Sequence, residues 1–296
     1  MSDTLMPDEF AFLTALRAIA THPAASALAD DTAQLDVAAG RLILTSDTMV
    51  EHVHYRPHDP ADSIGWKLAA VNLSDLAAKG ARPLGCLLNY ALSGDAAWDA
   101  AFLAGLNDAL IRYAMPLLGG DTVAMPRGSA RSFTLTALGQ AQSHVPLRSG
   151  ARPGDTLWVT GGIGGAGFGP DGEPRDLARY LRPTPRLAEG QALAPFATAM
   201  MDVSDGLLID ARRLAEASGI ALDLDLDAIP FALPGLDPLD AATAGDDYEL
   251  LFTLPADTAP PVPATPIGAA RAGTGLTLSA NGAPVPLPAR LGYSHG

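Results

Sequence analysis

Between residues 64 and 83 the apolar positions recur at helical spacing. Ile64, Leu68, Val71 and Ala78 fall on one stripe, which predicts a helix, and Gly80 and Pro83 supply its stop signals. Asp75 falls on the same stripe, with Asn72 one turn earlier. A carboxylate on an apolar face is costly unless something pairs with it. The local alternative is an i,i+4 pair with Lys79, worth about a few tenths of a kcal/mol. Upstream, residues 8–20 predict an amphipathic helix with Phe10, Leu13, Leu16 and Ala20 on one side. Ala29–Asp47 reads as a hairpin: Ala33, Leu35 and Val37 alternate, Ala39-Gly40 turns the chain, and Leu42–Thr45 gives the second strand.

Ala96–Tyr113 predicts a further helix, with Trp98, Phe102, Leu106, Leu110 and Tyr113 on one side. Leu117-Leu118 reads as a strand ending in Gly119-Gly120 and then Asp121, and Phe133, Leu135 and Ala137 alternate as another strand. The Gly- and Pro-rich stretch Arg148–Asp155 predicts a domain boundary, giving domains 1–148 and 149–296. A strand over Thr156–Thr160 opens the second half. Leu207–Ser218 predicts a helix stopped by Gly219, with Ser204 or Asp205 as N-cap. Leu222, Leu224 and Leu226 alternate with Asp223, Asp225 and Asp227, a half-buried strand with an acidic face. Leu250–Leu254 reads as the last core strand, before a Pro-rich tail with an Asn281-Gly282 turn.

The composition, 48% hydrophobic and 18% charged over 296 residues, is that of a globular chain of one large or two ordinary domains. A net charge of −14, with Lys67 and Lys79 as the only lysines, speaks against a nucleic-acid surface. It leaves room for phosphate ligands if divalent cations lie between the anions. Cys86 is the only cysteine, which excludes an internal disulfide or a thiolate zinc site and fits a buried, inert thiol. The acidic N-terminus lacks a signal-peptide pattern and no apolar run reaches about 18 residues, so the expectation is a cytoplasmic protein with no membrane partner.

Candidate chemistry lies where elements end. Asp30, Asp47, Asp75, Asp121, Asp202 and Asp205 mostly follow apolar strands and carry neighbouring Ser, Thr or Gly. Oxygen-only donors of this kind suit Mg²⁺ shared with substrate phosphates. Without a cation, gathered carboxylates would repel one another. His52 and His54 could share one face of a strand, but no third nitrogen ligand or cysteine stands nearby, which speaks against zinc. Gly162, Gly164 and Gly167 spell G-x-G-x-x-G after a strand. Pro170 and Pro174 stand where the required helix would begin, and no acidic strand end follows at the ribose-binding distance. The stretch reads as a flexible loop rather than a dinucleotide fingerprint.

The segments ADDTAQL, LTSDTMVEHVHY, KLAAVNLSDLAAKGARP, LLGGDT, LRSGARPGD, LRPTPR, DVSDGL and GDDYELLF occur in this order. Through them the chain, from about residue 8 to 293, resembles the bacterial thiamine-monophosphate kinases, in the superfamily of aminoimidazole-ribonucleotide synthetase and selenophosphate synthetase. The resemblance implies an α+β, two-domain synthetase-like fold. In it, the sheet of the N-terminal α/β domain pairs with that of its dimer mate to form a barrel, and a C-terminal α/β domain completes the active site. It implies ATP-dependent phosphorylation of thiamine monophosphate by a homodimer using several Mg²⁺ ions. By resemblance, Asp30, Thr45, Ser46, Asp47, Asp75, Asp121, Asp202 and Asp205 are metal positions, and Gly120, Asp121, Arg148 and Ser204 are ATP contacts. His54, Asp246 and Tyr293 are substrate contacts, and Asp47, Asp75, Asp121 and Arg148 carry the catalysis. Three positions depart from the family pattern: Leu28-Ala29 replaces the end of a Gly-x-Gly, Asp246 replaces a Glu, and the stretch from residue 161 to about 178 is shorter and more Pro-rich. The competing expectations are another ATP-using synthetase of the superfamily, a Rossmann-type oxidoreductase, and a non-catalytic metal-binding scaffold.

Overall fold

The computed structural model describes residues 6–29, 32–126, 128–142 and 144–294. The chain divides into two units, Met1–Leu76 with Arg82–Gln140, and Ala77–Ala81 with Ala141–Gly296. The changeover after Gln140 precedes Arg148, so the Gly- and Pro-rich stretch belongs to the second unit.

The first unit begins with α1 (Met6–Ile19), whose buried side is Phe12, Leu16 and Ala20, with Leu13 half-buried. The side chain of Phe10 lies outside the described residues. The elements β1 (Leu42–Val50), α2 (Ala61–Ala77), β2 (Ala81–Leu92), α3 (Ala96–Arg112), β3 (Leu117–Ala124) and β4 (Ser132–Ala141) come next. Among the described residues they form a four-stranded sheet ordered β1-β4-β2-β3. The predicted hairpin is absent: residues 33–38 form no strand, and β1 pairs antiparallel with β4, with Asp47 opposite Leu135. Alternation marks a half-buried extended segment but not its partner. Here the Gln34 N–H is taken by the Ala24 carbonyl, and the Ala38 carbonyl accepts from the Gln140 side chain. Nor does β3 end at its glycines; it runs on through Asp121, parallel to β2 with Asn89 opposite Asp121. Gly120 permits this close approach, since a Cβ there would lie 1.7 Å from the Leu88 carbonyl oxygen and its φ is +153°.

Helix α2 is buried on nearly every side rather than along one stripe, with Leu68, Ala69, Ala70, Leu73 and Leu76 fully covered. Small residues let α3 approach it: a Cβ on Gly65 would lie 2.1 Å from the Phe102 carbonyl, and one on Gly105 1.7 Å from that of Asp62. Aromatic rings fill the unit's interior, Phe133 sitting 4.7 Å from Phe102 and 4.8 Å from Tyr90 between ring centres. Cys86 is fully buried, as expected, and burial pushes its thiol well above the ordinary range.

The second unit carries β5 (Asp155–Val159), α4 (Leu177–Leu181), α5 (Leu187–Leu193), β6 (Ala199–Val203), α6 (Leu207–Ser218), β7 (Ala221–Asp225), α7 (Pro238–Ala242), β8 (Glu249–Pro255), β9 (Thr265–Arg271), β10 (Gly275–Ala280) and β11 (Ala283–Val285). Its sheet runs β11-β10-β7-β9-β5-β8-β6 among the described residues. Helix α6 buries Leu207, Leu208, Ala211, Leu214 and Ala215 in the core, which they share with Leu222 and Leu224 of β7. β8 is not the last strand. The Pro-rich tail carries three more, because its prolines sit where the ladder tolerates them: Pro266 at a register shift against β5, and Pro284 in the edge strand β11. Asn281 and Gly282, with φ of 51° and 71°, turn β10 into β11 as predicted. Both units combine a sheet of mixed parallel and antiparallel pairs with helices, in agreement with a two-domain α+β chain.

Candidate active site

In the first unit β1 and α2 bring two carboxylates together. The Thr45 hydroxyl donates to Asp75 Oδ2, and the Asn72 side chain joins helix to strand, its Oδ1 accepting the Asp47 N–H at 3.2 Å while its Nδ2 donates to the Leu68 carbonyl at 3.0 Å. Burial, and then the Asp75 carboxylate, raise the Asp47 carboxyl to about 6. The Lys79 ammonium group donates to the carbonyls of Pro146 (3.2 Å) and Met200 (3.0 Å). The donor set of two carboxylates and a hydroxyl fits a hard divalent cation, which would offset the mutual repulsion that Asp47 registers.

The other candidates in this unit stand apart. Alternation along β1 places Ser46 on the face opposite Thr45 and Asp47, where its hydroxyl meets that of Thr136 at 2.9 Å. Gly120 and Asp121 lie on β3, at the opposite edge of the sheet from β1, and the exposed Asp121 carboxylate caps the N–H of Thr122 at 3.0 Å. Among the described residues no three His, Cys, Asp or Glu side chains form a group that could hold a metal ion. Asp30 lies outside the described residues. Just before it, Ser26, Ala27 and Leu28 have φ of 49°, 53° and 53°, so the departure from glycine coincides with left-handed backbone. His54 sits in a turn, not on a strand face shared with His52; its Nδ1 accepts the Val50 N–H at 3.0 Å.

In the second unit the segment after β6 is the hub. Asp202 is buried at the end of β6, opposite Leu250. Ser204 and Asp205 do not cap α6; Gly206 holds that position with a φ of +124° and no side-chain cap. The backbone there is held instead by Asp210, whose Oδ2 accepts the N–H groups of Ser204 and Asp205, both at 3.1 Å. The Arg213 guanidinium bonds Asp205 at 2.5 Å and Asp210 at 2.7 Å, so Asp205 already has a counter-charge. Asp246 hangs on this loop through its N–H to the Ser204 carbonyl (2.8 Å), its carboxylate accepting from Tyr248 Oη (2.9 Å). The Tyr293 N–H reaches the Asp205 carbonyl at 2.8 Å. Arg148 stands in the turn beside β6, its side chain exposed and its carbonyl bonded by Ser218 Oγ at 2.7 Å.

The glycine loop is packed rather than open: residues 163–167 are buried, and both Asp247 oxygens receive the Gly164 N–H, at 3.0 and 2.8 Å. A carboxylate thus occupies an amide that a dinucleotide pyrophosphate would need, and the next helix, α4, starts only at Leu177. Burial raises the Asp247 carboxyl to about 7. Glu249 alongside is gripped by Arg186 at 2.7 and 2.6 Å and by Thr160 Oγ1 at 2.7 Å. A pocket of about 270 Å³ between α4 and this pair is lined by Arg179, Arg182, Arg186, Asp247 and Glu249. Sequence reading missed Asp210, Arg213, Asp247 and Glu249. The available signal for Asp210 was a carboxylate within the apolar run of α6, and for Arg213 its spacing of three from it.

Residues 29–141 match the family described as AIR synthase related protein, N-terminal domain, and residues 152–268 its C-terminal domain. The thiamine-monophosphate kinase of Caulobacter vibrioides is 36% identical, over 98% of this chain and 91% of its own. The chain belongs to the thiamine-monophosphate kinase family. Among solved structures, the family member from Stenotrophomonas maltophilia K279a is similar at a TM-score of 0.76 and 36% identity, covering 86% of this chain and 90% of that one. The structure described as AaThiL complexed with AMPPCP and TMP is similar at a TM-score of 0.75 and 27% identity, over 96% and 97%. In the family's frame the sequence motifs NLSDLAAKGA and DVSDG are, respectively, the helix that carries Asp75 and the loop that Asp210 holds. No helix among the described residues is long and apolar enough to cross a membrane.

Proposed function

We propose that this protein transfers the γ-phosphoryl group of ATP to the phosphate of thiamine monophosphate, giving thiamine diphosphate and ADP. Family membership along both units carries the reading, and a family member described with an ATP analogue and TMP supports the choice of substrates. The acceptor phosphate has a second pKa of about 6 and is largely a dianion at neutral pH, so its oxygen attacks without a strong general base. The task left to the chain is to hold two anions in line against each other. Mg²⁺, when bound, supplies the charge that screens them.

Thr45, Ser46, Asp47 and Asp75 are the proposed metal positions of β1 and α2; Asp30, Asp121, Asp202 and Asp205 are the others. The paired geometry of Thr45, Asp47 and Asp75 supports the first set. Gly120, Asp121, Arg148 and Ser204 are assigned to ATP, with Arg148 adding a fixed positive charge. His54, Asp246 and Tyr293 are assigned to thiamine monophosphate, and the common attachment of Asp246 and Tyr293 to the Ser204–Asp205 backbone supports placing them in one site. We also propose a cytoplasmic homodimer whose first-unit sheets close into a barrel. In favour of this, β1 and β3 are the sheet's two edges, and Leu42, Leu44 and Val123 on them are exposed in the single chain.

The test is thiamine diphosphate formation from thiamine monophosphate and ATP, with and without Mg²⁺, with ADP followed in parallel. Magnesium-dependent product matching ADP one for one supports the kinase. ATP use without thiamine diphosphate points to a different substrate in the same superfamily. Isolation of a phosphorylated residue on the pathway contradicts direct transfer.

A further inference from the structure

Asp210 plays no part in the reading above, yet its position is informative. It is fully buried in the first turn of α6, among Leu207, Leu208, Ile209 and Ala211. A carboxylate there is costly unless every lone pair is used. Oδ2 receives the amides of Ser204 and Asp205, and Oδ1 receives Arg213, which also holds Asp205. The loop that enters the helix is thus held from the helix side, by a side chain reaching back past a glycine that makes no side-chain cap.

The clamped loop supports its neighbours in turn. The carbonyls of Val203, Ser204 and Asp205 receive the N–H groups of Tyr248, Asp246 and Tyr293, each at 2.8 Å. A shift of Ser204-Asp205 therefore moves Asp246 and Tyr293 with it. We propose that Asp210 is a positioning residue that sets, through one carboxylate, the placement of both the nucleotide contact Ser204 and the substrate contacts Asp246 and Tyr293. This rests on the kinase reading, but it assigns a role to a residue that touches neither substrate.

The experiment is steady-state kinetics on the full chain as wild type and Asp210→Asn, varying ATP and thiamine monophosphate separately, with thermal melting alongside. Asparagine keeps the shape but presents an amide to Arg213 in place of an oxygen. The expected result is a cooperative melt with KM for both substrates raised, and kcat/KM lowered roughly ten- to a hundredfold. Unchanged KM values, with kcat reduced only in proportion to the folded fraction, would mean a structural role and overturn the proposal. Should Asp210→Asn not fold, Asp210→Glu, which pushes the same carboxylate outward by one methylene, is read by the same criterion. Wild type that forms no thiamine diphosphate counts against the kinase reading instead. In that event calorimetric titration of ATP with Mg²⁺ tests the clamp by itself: weaker binding to the variant supports it and equal binding overturns it.

Discussion

Asp75 accepts a hydroxyl from Thr45 and lies close enough to raise the Asp47 carboxyl, and it does so on a helix that is buried on nearly every side. Asp75→Asn removes a charge without changing the packing. Turnover is expected to fall by at least roughly a hundredfold if the carboxylate acts on developing charge, while far-UV dichroism and the melting temperature stay near wild type. Near-normal turnover would remove Asp75 from the metal positions. Asn72 is the structural partner in this pair. Asn72→Ala leaves the Asp47 N–H without its acceptor and takes the side-chain bond from the Leu68 carbonyl, and should cost about 1–3 kcal/mol in urea unfolding. Asp75 was legible in the sequence because it interrupts an apolar stripe. Asp210 interrupts an apolar run in the same way, but what it holds was not legible, nor was the role of Asp247, because both accept from backbone amides, and an amide belongs to every residue type alike.

Among the elements, the crossing of α2 and α3 depends on Gly65 and Gly105, where each backbone meets the other without an intervening side chain. Gly105→Ala forces the helices apart and should destabilise by about 1–3 kcal/mol as overpacking does, leaving the KM values of the folded protein unchanged. The glycine loop offers a pH test. Asp247 has an ordinary value of 3.8 but about 7 in the folded chain, so the native state holds the proton more tightly. Its contribution to stability is present below the unfolded value and is lost as pH rises through about 7. Denaturant unfolding from pH 5 to 8 should show most of this loss, up to about 3 kcal/mol over that window, and Asp247→Asn should abolish that part of the slope. Periodicity gave α2, α3, α6, β4 and β5 because each is long or strictly patterned. It failed for the 29–47 hairpin and for β9–β11, where strand identity depends on a partner far away in the chain or on prolines at tolerated positions.

At the scale of the molecule, the first-unit sheet ends in β1 on one side and β3 on the other, and Leu44 on β1 is 65% exposed. If the edges close against a second copy, Leu44→Asp should give a monomer by light scattering, with turnover lost and the melt still cooperative; a variant that remains dimeric and active would count against the barrel. The Gly- and Pro-rich stretch near residue 150 suggested a boundary at Arg148, whereas the two units exchange after Gln140 and residues 77–81 join the second unit. No composition signal marks so short an excursion. The fully buried Cys86, with its raised thiol, has a practical consequence. The native protein is close to silent toward maleimides and other thiol reagents. A single cysteine introduced at an exposed position such as Phe168 in the glycine loop would then be the one site to take up a fluorophore or spin label. Ligand-induced movement of that loop could be tracked without first engineering away a background.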